Sequence, residues 1–240
     1  MRFQLVLFDL DGTLVDTAPD IADAVNRVLA LRKLPGMPEA WVRSRIGHGS
    51  RQLLAQSWAE ATRLVEGAEA PAPIAELVEQ FGRHYADCCG RRGRVFPGAR
   101  TALRQLRRAG VRLALLTNKE QRFARLVLEA HGLAGEFELE ICGDTLAAKK
   151  PDPLPVRHAL RHFGVPAAGA LLVGDSEIDV HTARAAGIAA WGVSYGYGSG
   201  PALERAGPDR IIGSLAQVRA GAYSPRASSS SLYLRSSPRN

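Results

Sequence analysis

The chain has 240 residues, of which 46% are hydrophobic and 23% are charged, a composition that excludes a disordered or fibrous protein and suits a buried core. The formal net charge is +7, but no basic stripe interleaved with exposed aromatics is visible, so we expect no nucleic-acid partner. No stretch is long and apolar enough to span a bilayer, and the N-terminus does not resemble a signal peptide. The three cysteines lack metal-ligand spacing. We therefore expect a cytoplasmic protein with reduced thiols and no membrane attachment.

The first predicted element is a short buried strand, Leu5–Phe8, that leads directly into two aspartates. Asp9 and Asp11 are two residues apart, so their carboxylates can share one side of the strand end. Such carboxylates repel each other unless a cation lies between them, and Mg²⁺ favours oxygen ligands of this kind. The same residues also suit an ordinary Asp-Gly turn through Gly12, and this alternative stays open while the motif is taken alone.

The next part of the chain is predicted to be entirely helical. Amphipathic patterns separated by Pro and Gly residues indicate four helices, which are Pro19–Leu34, Pro38–Ile46, Ser50–Val65 and Pro73–Asp87. Because this all-helical block follows a single strand, it predicts a separate cap domain, which we assign to residues 18–92.

The remainder of the chain alternates between predicted strands and predicted helices. The strands are Val111–Leu116, Phe137–Cys142, Ala170–Val173, Ile188–Val193 and Arg210–Ile212. This alternation predicts an α/β fold whose core, residues 1–17 and 93–218, is a Rossmann-like doubly wound parallel sheet with helices on both faces. Residues 219–240 are rich in serine and arginine and show no periodicity, so we predict a disordered tail.

Polar side chains follow the predicted strands at the edge where parallel α/β sheets bind their ligands. Thr117 and Asn118 follow the second strand, Lys150 lies in the loop after the third, and Asp175 follows the fourth. Taken singly, these residues are also explained as helix caps, loop charge or a turn. Their occurrence at successive strand ends predicts that they form one site with Asp9.

The residue types at this edge suit the transfer of a phosphoryl group from an anionic ester. Mg²⁺ between Asp9 and Asp175 would neutralise the phosphate, and Lys150 would add a fixed positive charge beside the nucleophile. Asp9 would form an aspartyl-phosphate, while Asp11 would protonate the leaving alcohol and then activate water. The hydroxyl of Thr117 would bind the phosphate oxygens as their charge shifts.

Three further polar residues are assigned to the same site. Asn118 is adjacent to Thr117 and is counted with the catalytic residues. Ser176 and Asp179 fall at the start of the helix that follows the fourth strand, and Asp179 is four residues after Asp175. We expect Ser176 and Asp179 to brace the metal-binding carboxylate from behind.

Together these segments resemble the four motifs of the haloacid dehalogenase superfamily. The motifs are Asp9-x-Asp11-Gly12-Thr13, Thr117 after an apolar strand, Lys150 in Lys-Lys-Pro-Asp-Pro, and Gly174-Asp175-Ser176-x-x-Asp179. The resemblance spans Phe3 to about Ser214, and it implies a Rossmann-like core with an inserted helical cap. It also implies Mg²⁺-dependent phosphoryl transfer through a phosphoaspartate at Asp9. By the family pattern, Asp9, Asp175 and the main-chain carbonyl of Asp11 bind the metal.

Within this superfamily, several longer stretches resemble bacterial phosphoglycolate phosphatases. These stretches are DLDGTLVDTAPDIADAVN, IGHGSRQLL, KKPDPLP and VGDSEIDVHTARAAG. The resemblance implies a small anionic phosphate ester, preferably 2-phosphoglycolate, as the substrate. We expect the protein to be a monomer or a homodimer. Three alternatives remain, namely a phosphatase for a sugar phosphate or N-acetylmuramate phosphate, a sugar phosphomutase, and a non-enzymatic binding protein on the same fold.

The predicted cap also carries two candidate substrate-binding residues. His48 and Arg51 lie at the start of a cap helix, from which they can face the core. Our hypothesis is that Arg51, together with His48, recognises the carboxylate of the substrate, and the alternative is that both are ordinary surface residues. A helical cap would also exclude bulk water from the reaction.

Overall fold

The computed structural model describes residues 2–65 and 73–220. Its strands are β1 (Leu5–Phe8), β2 (Val15–Asp16), β3 (Arg94–Val95), β4 (Arg112–Leu116), β5 (Leu139–Ile141), β6 (Ala170–Gly174), β7 (Ala189–Val193) and β8 (Arg210–Ile212). Six of them form one sheet in the order β5-β4-β1-β6-β7-β8, and every neighbouring pair in that sheet is parallel. The predicted parallel α/β core is therefore confirmed.

The central strand β1 shows why this sheet has a helical layer on each face. Leu5, Val6, Leu7 and Phe8 are all completely buried, because a central strand of a parallel sheet has no solvent-facing side. Alternate side chains point to opposite faces. Val6 and Phe8 accordingly belong to one apolar cluster, and Leu5 and Leu7 belong to the other.

The described part of the chain contains nine helices of four residues or more. They are α1 (Ala18–Ala30), α2 (Glu39–Arg43), α3 (Ser50–Arg63), α4 (Ile74–Cys88), α5 (Ala99–Arg108), α6 (Gln121–Ala130), α7 (Leu154–Phe163), α8 (Glu177–Ala186) and α9 (Pro201–Ala206). Helices α5 and α6 contribute to the first apolar cluster, whereas α7, α8 and α9 contribute to the second. No helix in residues 2–65 and 73–220 combines the length and apolarity needed to cross a membrane.

Helices α1 to α4 lie between β2 and β3 and form the predicted helical block. The apolar stripe of α1, which includes Ile21, Val25 and Val28, is buried. Helix α1 packs against α4, whose side chains Phe81 and Tyr85 are buried. The division of the chain into a core and a cap domain remains a prediction. Most of the predicted disordered tail and the Pro/Ala-rich residues 66–72 lie outside the described residues.

The two segments that connect the helical block to the six-stranded sheet lie side by side and are hydrogen-bonded to each other. Strands β2 and β3 pair antiparallel, with Val15 opposite Val95. Beyond them the carboxylate of Asp20, only 1% exposed, accepts hydrogen bonds from the backbone N–H groups of Gly90 (2.7 Å), Arg92 (2.8 Å) and Gly93 (3.1 Å). Three such donors compensate the burial of this charge. The chain therefore leaves for the helical block and returns from it through one narrow junction.

Candidate active site

The carboxyl ends of the central strands converge on one cavity of about 50 Å³. Strand β1 leads into Asp9 and Asp11, and β6 leads into Asp175. Strand β4, on the other side of β1, leads into Thr117. The loop after β5 contributes Lys150. All five of these residues line the cavity, at the kind of strand-end crevice where doubly wound sheets bind ligands.

Lys150 lies between two buried carboxylates. Its Nζ atom is 2.9 Å from Oδ1 of Asp9 and 2.6 Å from Oδ1 of Asp179. Burial by itself would lower the pKa of this ammonium, but Asp179 and Asp9 together raise the pKa above its ordinary value. Lys150 therefore stays positively charged beside Asp9, as expected for a group that faces an anionic ester.

Asp175 has hydrogen-bond donors but no ion-pair partner among the described residues. Its Oδ2 atom accepts the backbone N–H groups of Tyr197 (2.6 Å) and Gly198 (3.1 Å). Burial, together with the neighbouring charges of Asp9 and Asp179, raises the pKa of Asp175 to about 8 despite these hydrogen bonds. Burial likewise raises the pKa of Asp9 to about 7, although Lys150 opposes it. The site therefore holds more negative charge than its own residues compensate.

The donor set of this site fits Mg²⁺. Asp9, Asp175 and Asp179 each offer one carboxylate oxygen, and these oxygens lie within 4.8 Å of one another. All three are hard ligands, and the raised pKa values of Asp9 and Asp175 indicate a place where a cation would be stabilising. Asp11, whose main-chain carbonyl was the predicted ligand, does not contribute its side chain to this cluster, and its role as a ligand stays a prediction.

We expect the ionisation of Asp9 and Asp175 to lower the stability of the metal-free protein as the pH rises from about 4 to about 8. A carboxyl group whose pKa is higher in the folded than in the unfolded state binds more protons when folded, so its ionisation opposes folding. The window runs from the ordinary value of 3.8 to about 7 for Asp9 and about 8 for Asp175. Denaturant unfolding in EDTA across this range measures the effect. Asp175→Asn should flatten the fall, and an equal slope in both proteins would contradict the prediction.

Asp11 also lines the cavity but makes a separate set of contacts. Its Oδ1 atom accepts the hydroxyl of Thr17 at 2.6 Å. The Nζ atom of Lys119 lies 3.1 Å from Oδ1 and 3.2 Å from Oδ2 of the same carboxylate. Asp9 and Asp11 thus follow the same strand but pair with different lysines, which suits them to different tasks.

Thr117 and Asn118 follow β4 as predicted, but they do different things. Thr117 is buried, and its hydroxyl accepts the backbone N–H of Lys119 at 3.2 Å. The side-chain nitrogen of Asn118 donates to the carbonyls of Gly47 and Lys150, both at 2.9 Å. Asn118 therefore joins the strand-end loops to the helical block, which brings Gly47 to the rim of the cavity.

Ser176 and Asp179 form a capping box at the start of α8. The hydroxyl of Ser176 donates to Oδ2 of Asp179 at 2.8 Å, and its backbone N–H donates to the same atom at 3.2 Å. The other oxygen of Asp179 contacts Lys150. This geometry holds Asp179 in one orientation and so fixes the ammonium of Lys150 next to Asp9.

The structure does not bring His48 and Arg51 to the cavity. Both residues are exposed, whereas the cavity is lined by their neighbours Gly47, Gly49 and Ser50. The proposed recognition of substrate by His48 and Arg51 stays a prediction without support from these contacts.

Two residues that the sequence patterns did not single out belong to the site. Lys119 pairs with Asp11, and Tyr197 connects Asp175 with the start of the helical block. The Tyr197 hydroxyl accepts the backbone N–H of Thr17 (2.6 Å) and donates to Asp16 (2.7 Å). Tyr197 could have been predicted as a site residue from its position after a predicted strand, because polar groups that follow the strands lie at the sheet edge where the site forms.

A protein-family model of haloacid dehalogenase-like hydrolases matches residues 3–187. A plasmid-encoded phosphoglycolate phosphatase of Cupriavidus necator is 46% identical over 212 residues, which cover 88% of this chain and 89% of that protein. The phosphoglycolate phosphatase of Mesorhizobium japonicum is 39% identical over 197 residues, covering 82% of this chain and 85% of its own.

Solved structures show the same relationship. A predicted phosphoglycolate phosphatase from Haemophilus somnus has a TM-score of 0.86 and 32% identity, covering 91% of this chain and 97% of its own. CbbY from Rhodobacter sphaeroides, in complex with phosphate, has a TM-score of 0.77 and 26% identity. The match covers 91% of this chain and 96% of the CbbY chain. The chain is a member of the haloacid dehalogenase-like hydrolases.

Proposed function

We propose that this protein is a Mg²⁺-dependent phosphatase that hydrolyses a small organic phosphate monoester through an aspartyl-phosphate on Asp9. The observation that carries the proposal is the buried contact between Asp9 and Lys150 (2.9 Å) at the base of the strand-end cavity. Asp175 lies in the same carboxylate cluster. Bound Mg²⁺, held by Asp9 and Asp175 with the main-chain carbonyl of Asp11, would neutralise the phosphate charge that otherwise repels a carboxylate.

The residues of the chain divide the reaction into two displacements. In the first, an oxygen of Asp9 bonds to phosphorus, the ester bond to the alcohol oxygen breaks, and Asp11 donates its proton to that oxygen. In the second, Asp11 takes a proton from water, the water oxygen attacks phosphorus, and the bond to Asp9 breaks. Inorganic phosphate leaves, and both aspartates return to their starting states.

The other predicted catalytic residues bind and orient the phosphate. Lys150 provides a fixed positive charge that does not depend on pH near neutrality, because its pKa is raised by its two carboxylate partners. The Thr117 hydroxyl lies on the cavity wall and can donate to a phosphate oxygen. Asn118 holds the loop of Gly47 over the same wall. Asp179 and Ser176 keep Lys150 in place.

The proposed substrate is 2-phosphoglycolate. This ester would bind with its phosphate beside Lys150, in the strand-end cavity. The lining of this cavity includes a second ammonium, Lys119, suited to a second anionic group. The relatives named as phosphoglycolate phosphatases, at up to 46% identity, support the same substrate.

One buried carboxylate oxygen favours a second candidate substrate, a phosphorylated polyol or sugar. The Oε2 atom of Glu120, a residue that lines the cavity, is buried and has no hydrogen-bond partner in the part of the chain that the structure describes. A carboxylate oxygen accepts hydrogen bonds, so it would suit a substrate hydroxyl. Sugar phosphates and N-acetylmuramate 6-phosphate, and the phosphomutase reaction of a sugar phosphate, therefore belong in the test.

The domain organisation and setting of the enzyme are part of the proposal. We assign residues 1–17 and 93–218 to the catalytic core and 18–92 to the cap, which the hydrogen bond from Asn118 to Gly47 supports. The free thiols of Cys88, Cys89 and Cys142 support a cytoplasmic setting. A monomer or homodimer that acts on a free small molecule, and not on nucleic acid or a membrane, completes the proposal.

Phosphate release from a panel of esters, with Mg²⁺ and with EDTA, tests the proposed function. We expect EDTA to abolish turnover, added Mg²⁺ to restore it, and 2-phosphoglycolate to give the highest kcat/KM. Preferred hydrolysis of a sugar phosphate would establish the second candidate, and isomerisation without phosphate release would identify a mutase. Absence of Mg²⁺-dependent release from every ester would favour a binding protein.

A further inference from the structure

Two ammonium groups are the only cationic side chains among the described residues that line the cavity. Lys150 lies between Asp9 and Asp179, so its charge serves the phosphate end. Lys119 has a different partner, because its Nζ atom lies 3.1 Å from Oδ1 of Asp11. The cavity therefore has two cationic side chains, one paired with the nucleophile Asp9 and one paired with the general acid Asp11.

Lys119 is held firmly but retains donor capacity. It is 7% exposed, and its Nζ atom is 3.1 and 3.2 Å from the two oxygens of Asp11. The same atom lies 4.8 Å from the ring centroid of Tyr85, within range of a cation–π attraction. An ammonium has three N–H donors, so two bonds to Asp11 leave one donor for a further acceptor.

The surroundings of Lys119 make its charge decisive for any second anion in the cavity. Much of the remaining lining is apolar, from Ile46, Leu53, Phe81 and Phe123. A carboxylate against these side chains would lose its hydration without compensation. An ion pair in such a partly dehydrated place is much stronger than on the surface, so a substrate carboxylate gains most at Lys119.

A competing place for a carboxylate, the N-terminus of α3, is already taken. Oε1 of Glu120 accepts the backbone N–H of Ser50 (3.2 Å) and its hydroxyl (2.6 Å). This protein carboxylate uses the first donors of the helix and adds negative charge there, so it would repel a second carboxylate. Arg51, the residue hypothesised from the sequence, is exposed and outside the lining.

We propose that Lys119 binds the carboxylate of the substrate and thereby determines the preference for a carboxylated phosphate ester. The inference rests on the proposed phosphatase function and names the group that recognises its substrate. In the proposed arrangement, the contact between Lys119 and Asp11 lets Asp9, Asp11 and Lys119 face consecutive parts of 2-phosphoglycolate. Asp9 faces phosphorus, Asp11 faces the ester oxygen, and Lys119 faces the carboxylate one methylene away.

The test compares 2-phosphoglycolate with 2-hydroxyethyl phosphate, which has a CH₂OH group in place of the carboxylate. In the Mg²⁺-loaded enzyme, Lys119→Met should reduce the ratio of kcat/KM for these two esters by about 30- to 100-fold, the range for a lost charge-assisted hydrogen bond. KM for 2-phosphoglycolate should account for most of this change. Any fall in kcat common to both esters reports the lost contact with Asp11.

Further variants separate the possible outcomes. If Lys119→Met does not fold, Lys119→Gln replaces it in the test, because its amide can still donate to Asp11, and it should lose selectivity to the same extent. Lys119→Arg should keep part of the selectivity. If the wild type prefers 2-phosphoglycolate and Lys119→Met keeps that preference, the inference is wrong while the phosphatase function stands. Loss of the preference in Arg51→Ala alone would also overturn it. A wild type that prefers 2-hydroxyethyl phosphate would refute both the proposed substrate and the role of Lys119.

Discussion

Replacement of Asp9 by asparagine should lower kcat by at least about 10⁴-fold, as removal of a covalent nucleophile does in other enzymes. An amide oxygen cannot form the acyl phosphate, and Asp11 does not take its place, because its carboxylate is engaged by Thr17 and Lys119. Steady-state kinetics at saturating Mg²⁺ measure the loss. Mass spectrometry of the trapped enzyme should show a phosphorylated wild type and an unmodified variant.

The fold should survive the Asp9→Asn change. Asparagine has nearly the same shape, and it removes one charge from a crowded carboxylate cluster in which burial raises the pKa of Asp9 to about 7. The free energy of unfolding without metal at pH 8 should therefore stay the same or increase. Asp87→Asn, on the exposed side of α4, is the matched control for the chemical change. Near-normal turnover by Asp9→Asn would refute the nucleophile assignment.

Replacement of Lys150 by methionine should damage both activity and stability. The variant keeps the apolar stem but leaves Asp9 and Asp179 without their common cation. Removing one partner of a buried ion pair costs about 3–5 kcal/mol, and losing a preorganised charge at the reacting phosphate costs roughly 10²- to 10³-fold in kcat. Denaturant unfolding and phosphate-release kinetics measure the two effects.

Lys149→Met is the matched control for Lys150→Met. Lys149 is the preceding residue, its side chain is exposed, and its Nζ atom donates to the carbonyl of His48 at 2.7 Å. Loss of this one hydrogen bond should cost no more than about 1 kcal/mol of stability. Equal destabilisation by the two substitutions would contradict the central position assigned to Lys150. Added Mg²⁺ should restore part of the stability of Lys150→Met, because a cation in the carboxylate cluster offsets the missing charge.

The sheet was largely predictable from the sequence because its strands are buried on both faces. Runs such as Leu5–Phe8 and Ala170–Val173 are apolar without alternation, and the turns after them contain Asp and Gly. The two-residue strands β2 and β3 were not predicted, since so short a ladder depends on a partner about 80 residues away. Helix α9 was also missed, because its six residues carry too little periodicity to detect.

The candidate site was predictable wherever a side chain had to follow a strand end. Asp9, Asp175 and Lys150 meet in the structure because the parallel sheet brings strand ends to one edge. The orientation of side chains within a loop was not predictable. In the Thr117-Asn118-Lys119 turn, spacing alone does not tell which side chain contacts Asp11. Arg51 lies at the start of α3, and the packing of that helix, which the sequence does not give, determines that its side chain is exposed.

The antiparallel pairing of β2 with β3, continued by the Asp20 carboxylate, has a consequence for how this architecture can diversify. Asp16 lies opposite Arg94, so the two ends of the whole inserted segment meet at one point. A segment whose ends are adjacent can be exchanged for a shorter or longer one without redirecting the chain around it. Under the proposed division into core and cap, the helical segment can therefore change in length and sequence at this junction while the strand ends that carry Asp9 and Asp175 keep their positions.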